Sequence, residues 1–161
     1  MIDGVKLIPL QRFADERGWL MEVRRESWLP KRSRQTNLSF SRKGVIKGLH
    51  YHERGQDDLF VCLSGTARVV LLDRDTDETF TVDIGDDNRI AVYVPGRLGH
   101  GYEALTDVLF CYETTAEYDP DDPDEHGIPW NDPRVRHLWS TQSPILSKRD
   151  AAAAAASAPS S

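Results

Sequence analysis

Residues 59–96 read LFVCLSGTARVVLLDRDTDETFTVDIGDDNRIAVYVPG, with four short apolar or β-branched runs: Leu59 to Leu63, Ala67 to Leu72, Thr79 to Ile84 and Ile90 to Val94. Turn-forming clusters separate them, namely Ser64-Gly65-Thr66, Asp73-Arg74-Asp75-Thr76-Asp77, Gly85-Asp86-Asp87-Asn88 and Pro95-Gly96. Runs of this length, bounded by Gly, Pro, Asn and Asp, mark strands joined by tight turns. The rhythm extends upstream, where Asp15-Glu16-Arg17-Gly18 precedes Trp19 to Val23, and downstream into Val108-Leu109-Phe110-Cys111-Tyr112. No segment carries a sustained 3.6-residue apolar period, so a helical or βαβ architecture finds little support. An all-β fold, a jelly roll or closed barrel, is expected.

The 161 residues suit a single domain, and 39% of them are hydrophobic, enough for a real core. A net charge of −6 and a pI near 5.3 argue against a nucleic-acid partner, because phosphate binding needs clustered excess Lys and Arg. No run approaches the roughly 18 apolar residues that span a bilayer, and no leader pattern opens the chain. No membrane partner and a cytoplasmic location are therefore expected. Cys62 and Cys111 sit inside apolar runs, where free thiols pack as small hydrophobes. From Glu117 to Pro133 the chain turns acidic and Pro-rich, which predicts an ordered surface excursion rather than more sheet. Ala151 to Ser161 form a low-complexity Ala/Ser/Pro tail, expected to be frayed or disordered beyond a domain over residues 1–150.

Chemistry concentrates in Val45-Ile46-Lys47-Gly48-Leu49-His50-Tyr51-His52. On a strand, residues two apart share a face, so His50 and His52 would stand on one pocket wall. Imidazole transfers protons near neutrality and is also the commonest metal ligand, so both uses are open. Two solvated loop histidines are the plain alternative. Asp58 follows His52 after five residues, Gly65 follows Asp58 after six, and His100 comes after the turn Pro95-Gly96.

This His-x-His, Asp, Gly and later His pattern resembles the two motifs of the cupin superfamily. Membership implies a small jelly-roll β-barrel with histidines and one acidic residue converging inside it. Three His and one carboxylate ligate a divalent ion in metal-binding cupins. His50, His52, His100 and Asp58 occupy those positions, with Asp for the usual Glu and a longer gap before it. The flanking motifs narrow the resemblance. Phe13 to Glu22, Gln35-Thr36-Asn37, Lys47-Gly48-Leu49-His50, Tyr112 with Tyr118, Gly127 to Pro133, and Leu146-Ser147-Lys148-Arg149-Asp150 are similar, in order, to the dTDP-4-dehydrorhamnose 3,5-epimerase family.

That resemblance implies a single cupin-type domain and a nucleotide-activated substrate, a dTDP-linked 4-keto-6-deoxyhexose. The sugar would be epimerised at C3, C5 or both through an enolate, with no cofactor required. By the same resemblance His50 is the base, oriented by Asp150, and Tyr112 is the acid on the opposite face of the sugar. Lys47 and His100 would supply charge or donors to enolate or phosphate, and Arg17, Glu22, Gln35 and Asn37 would contact nucleotide and sugar. The family exchanges its N-terminal segment in a homodimer, so Arg17 and Glu22 would serve the neighbour's site.

The chain departs from the family where Lys47 replaces Arg, His52 replaces Gln and Asp58 replaces Lys. Reversing a charge beside a developing anion calls for compensation. A divalent transition metal on His50, His52, Asp58 and His100 would provide it. The competing functions are a sugar-nucleotide 3,4-ketoisomerase, a metal-dependent cupin with a different small-molecule substrate, and a non-catalytic sugar-binding cupin.

Overall fold

The computed structural model describes residues 1–157. In chain order the strands are β1 (Lys6–Pro9), β2 (Arg12–Asp15), β3 (Gly18–Met21), β4 (Gln35–Ser41), β5 (Ile46–Tyr51), β6 (Asp57–Ser64), β7 (Thr66–Leu72), β8 (Thr79–Gly85), β9 (Ile90–Pro95), β10 (Gly99–Ala104), β11 (Val108–Thr114) and β12 (His126–Gly127), followed by helix α1 (Lys148–Ala156). One five-stranded sheet has the order β1-β9-β6-β11-β4 and the other β12-β5-β10-β7-β8, while β2 and β3 form a separate hairpin. All of these pairings are antiparallel. The two sheets face each other over a shared core that includes Phe60, Val92 and Phe110 from the first and Val69, Leu71 and Tyr102 from the second. This is the expected jelly roll of the cupin type.

The runs in residues 59–96 read as continuously apolar because both faces of their strands are covered. Phe60 and Cys62 of β6 point into the barrel, while Leu59 and Val61 pack outward beneath Leu10, Met21, Val23 and Trp28 of the N-terminal segment. In β7, Val69 and Leu71 face inward and Val70 and Leu72 pack against Ile128, Val135 and Trp139. Strands buried on both faces lose polar alternation, and each such side chain contributes about 1.5–3 kcal/mol. Glu103 of β10, 2% exposed, anchors the C-terminal cover by accepting from the backbone N–H groups of Ser140 (2.7 Å) and Thr141 (3.1 Å).

Two of the expectations change. The acidic excursion does add sheet: β12 pairs with β5, setting His126 opposite Tyr51 and Gly127 opposite His50. The chain from Ala151 is helical rather than frayed, and α1 crosses residue 150. Its N-terminus is capped by Ser147 Oγ, which accepts from the Asp150 N–H, and Asn131 Nδ2 donates to Ala154 O (3.3 Å). Capping, alanine propensity and a docking partner together hold this short helix. The remaining tail, residues 158–161, lies outside the described residues. Both cysteines are free, and burial, aided by Asp86, pushes the Cys62 thiol up to about 11. No helix among the described residues is long and apolar enough to cross a membrane.

Candidate active site

A cavity of about 640 Å³ opens between the two sheets, a size suited to a small-molecule ligand. The first sheet lines it through alternate residues: Gln35 and Asn37 of β4, Asp58 and Phe60 of β6, and Tyr112 and Thr114 of β11. On β4 the period of two is visible in exposure, with Gln35, Asn37 and Ser39 half-buried while Thr36, Leu38 and Phe40 face out. The second sheet contributes Lys47 and His50 of β5, His52 just past its end, and His100 of β10.

Lys47 and His50 are three residues apart, yet both line the cavity. Lys47 pairs with Tyr102 and His50 with His100, so β5 carries one residue more than β10 between these pairs. Such a bulge re-aims the following side chain. It requires glycine at Gly48, where φ is +113° and a Cβ would lie 2.6 Å from the His100 carbonyl oxygen and 2.7 Å from Gly101 Cα.

His50 lines the cavity, and its Nδ1 lies 3.5 Å from Oε1 of Glu125, another lining residue. Behind it, Asp150 Oδ1 is 3.3 Å from Nε2, and Arg149 Nη2 is 2.7 Å from the same nitrogen. Arginine only donates, so its contact selects a histidine protonated on Nδ1; the carboxylate contact selects one protonated on Nε2. The second form leaves the Nδ1 lone pair free to accept a proton. Burial opposes the charge on Asp150, but the hydrogen bond and charge of His50, with Ser147 and Arg149, hold the carboxyl below its ordinary range. The Arg149 hydrogen bonds likewise keep Glu125 low against its partial burial.

His52, Asp58 and His100 form a second group. Asp58, like its neighbour Asp57, is buried, at 5% exposed. Its Oδ2 lies 3.2 Å from His100 Nε2 and 3.8 Å from His52 Nε2. Burial disfavours the Asp58 charge, yet the facing rings of His100 and His52 hold its carboxyl far below the ordinary value. Burial likewise works against charge on His52, but Asp58 and the Asp124 carbonyl raise its basicity overall. Of the four ligands expected for a metal, His52, Asp58 and His100 lie together, whereas the nitrogens of His50 face Glu125 and the Asp150–Arg149 pair. The physical cause is local. His52 lies past the end of β5, where its N–H bonds to Gly96 O (2.7 Å) and its Nδ1 reaches Asp124 O.

Tyr112, on the opposite sheet from His50, packs edge-on against Phe60 at 6.5 Å between ring centroids. Burial, then the nearby charges of Asp58 and Glu125, raise its phenol above the ordinary value, so it holds its proton. Lys47 stands exposed at the rim. Gln35 donates to Asn37 Oδ1 (2.8 Å) and accepts from the Tyr118 N–H (2.8 Å), fixing both amides in the wall. Arg17 and Glu22 do not line the cavity of their own chain. Arg17 is in the hairpin turn paired with Asp15, and Glu22 pairs with Arg25.

Sequence reasoning missed Glu125, Asp124, Gln56 and Arg149. The first two lie in the acidic excursion, whose return over the barrel mouth no local pattern announces. Arg149 stands beside Asp150 in the motif Leu146 to Asp150, where adjacency was the available signal.

Comparison with known proteins agrees with this geometry. The family model for dTDP-4-dehydrorhamnose 3,5-epimerase matches residues 1–157. Spore coat polysaccharide biosynthesis protein SpsL of Bacillus subtilis (strain 168) is 41% identical over 150 residues, covering 88% of this chain and 99% of its own. The dTDP-4-dehydrorhamnose 3,5-epimerase of Escherichia coli (strain K12) is 33% identical over 164 residues, covering 92% of this chain and 88% of its own. Among solved structures, dTDP-6-deoxy-D-glucose-3,5-epimerase RmlC of Legionella pneumophila, in complex with dTDP-4-keto-L-rhamnose, superposes with a TM-score of 0.84 at 29% identity, covering 94% of this chain and 87% of that one. These matches favour the epimerase over the ketoisomerase and the cupin of unrelated substrate. The chain belongs to the dTDP-4-dehydrorhamnose 3,5-epimerase family and is an isomerase.

Proposed function

We propose that the protein epimerises a dTDP-linked 4-keto-6-deoxyhexose at C3, C5 or both, with His50 as base and Tyr112 as acid. The observation that carries this reading is the placement of His50, backed by Asp150, and Tyr112 on opposite sheets of one cavity. A C–H beside the C4 ketone is acidic because its electron pair can delocalise onto oxygen. His50 Nδ1 takes that proton and becomes an imidazolium, which Asp150 and Glu125 stabilise. Tyr112 returns a proton to the same carbon from the other face, inverting it, and solvent restores both groups. Lys47 supplies positive charge towards the substrate oxygens, while His100, its ring nitrogens engaged by Leu98 O and Asp58, shapes the wall beside them. Protons alone balance the reaction, so it needs no redox or group-transfer cofactor. The test is deuterium uptake at C3 and C5 of dTDP-4-keto-6-deoxyglucose in D₂O, followed by NMR.

Tyr112→Phe lowers inversion by about 10²-fold. Deuterium exchange falls less, because His50 can still return a deuteron to the face it came from. Since burial raises the Tyr112 phenol, the alkaline limb of the wild-type pH–rate profile lies above the ordinary tyrosine value of 10.0. A limb below that value, or equal loss of exchange and inversion in the variant, would remove Tyr112 from the acid role.

The same reading includes a homodimer with exchanged N-terminal hairpins. Phe13, Trp19 and Leu20 on β2 and β3, and Leu38 and Phe40 on the outer face of β4, are all at least 50% exposed. The cavity itself is short of cations for a diphosphate: it has Lys47, and Arg54 is paired with Asp122. Arg17, projecting from the hairpin turn, would bring the missing charge to a second copy. Light scattering is expected to give twice the chain mass of 18.2 kDa; a monomer at micromolar concentration would refute the exchange. A cytoplasmic location completes the reading, and the two free thiols support it.

A further inference from the structure

We infer that His52 Nε2, His100 Nε2 and a carboxylate oxygen of Asp58 form a binding site for one divalent first-row transition metal, separate from His50. All three residues are less than 10% exposed, and their donor atoms lie within 4.8 Å of one another. Two imidazoles and one carboxylate are a sound donor set for zinc, iron, manganese or nickel.

The orientation of the two rings is the stronger argument. His52 Nδ1 donates to Asp124 O and His100 Nδ1 to Leu98 O at 2.9 Å. A histidine tethered to a backbone carbonyl through Nδ1–H keeps its proton there and presents the Nε2 lone pair, which is how ligating histidines are held. Both lone pairs converge on the Asp58 carboxylate. Gln56 Nε2 serves His52 Nε2 and Asp58 Oδ1, but His100 Nε2 and Asp58 Oδ2 remain two acceptors facing each other at 3.2 Å in a buried place, where without a cation one of them would have to take a proton. A metal ion satisfies both at once.

The spacing needs little adjustment. Metal bonds of about 2.0–2.2 Å set neighbouring ligand atoms about 3–3.5 Å apart. The observed separations from Asp58 Oδ2 are 3.2 Å to His100 and 3.8 Å to His52. Gln56 Nε2 sits 2.9 Å from Asp58 Oδ1 and 3.0 Å from His52 Nε2, donating to both. A half-turn of this amide replaces the donor with Oε1, an oxygen that can approach a cation. The cluster opens on the cavity, leaving positions for a substrate oxygen. A metal there would stabilise negative charge on that oxygen as a Lewis acid, a role that, unlike binding itself, rests on the epimerase reading. Because His50 is not a ligand, metal and base can coexist.

The test uses the full-length protein purified without a histidine tag, stripped with EDTA, dialysed and titrated with Zn²⁺ by calorimetry. One equivalent is expected to bind. Asp58→Asn and His100→Asn should each weaken binding by at least about 100-fold, more than loss of an outer-shell partner costs. Circular dichroism checks that these variants fold, and His50→Asn should leave the affinity within about 3-fold. Independently of any variant, Co²⁺ added to wild type should give visible d–d absorption that Zn²⁺ displaces. Absence of saturable Zn²⁺ uptake, absence of the Co²⁺ spectrum, binding that survives Asp58→Asn, or binding lost in His50→Asn would each overturn the site. Metal binding without deuterium exchange would sink the epimerase reading alone.

Discussion

Replacing His50 with asparagine is expected to lower deuterium uptake at C3 and C5 of the 4-keto sugar by about 10³-fold, with the fold intact. General acid–base groups contribute about 10²–10⁴ in rate, and no other cavity histidine is placed to substitute. His52 and His100 turn their Nε2 atoms towards Asp58, and their Nδ1 atoms are held by backbone carbonyls. Asparagine fills most of the imidazole volume at a position whose side chain is only 20% exposed, so the substitution removes basicity rather than packing. Stopped uptake with an unchanged thermal midpoint, read by NMR and circular dichroism, distinguishes lost chemistry from lost structure. Asp150→Asn should cost less, because it removes the orienting carboxylate and leaves the base.

The second large effect is on stability. Phe110 of β11 has no exposed surface; it stacks on Tyr102 at 3.9 Å between centroids and meets Phe60 edge-on at 5.4 Å. Phe110→Ala is expected to cost about 3–5 kcal/mol in urea denaturation, from lost burial plus a cavity that neighbouring strands cannot close. Phe60 in turn touches the rings of His100 and Tyr112, so the void should loosen the site wall as well as the core. A loss below about 1 kcal/mol would show that the two sheets collapse into the gap and that this aromatic stack does not fix the barrel.

The strands were legible because turn chemistry and apolar runs coincide along residues 59–96, and no helical period competes with them. β12 was not, because two residues, His126 and Gly127, make no pattern of their own; their strand exists only through β5. α1 was missed for a similar reason, since Ala151 to Ala156 needs the Ser147 cap and the Asn131 surface to stay wound. In the site, the resemblance carried by Gln35-Thr36-Asn37 pointed to Gln35 and Asn37, and the structure sets both on the cavity wall through the alternation of β4. The bulge that brings Lys47 and His50 to one face could not be read from spacing, because it depends on register against β10. His50 and His52 share a cavity as their spacing suggested. Their partners differ because Glu125, Asp124 and Arg149 arrive from distant parts of the chain.

The most direct measurement is the proton NMR spectrum of dTDP-4-keto-6-deoxyglucose incubated with the purified protein in D₂O. Loss of the C3 or C5 signal, with inversion at that carbon and with both changes abolished in His50→Asn, is the expected result. Retention of both signals after prolonged incubation with folded protein would contradict it.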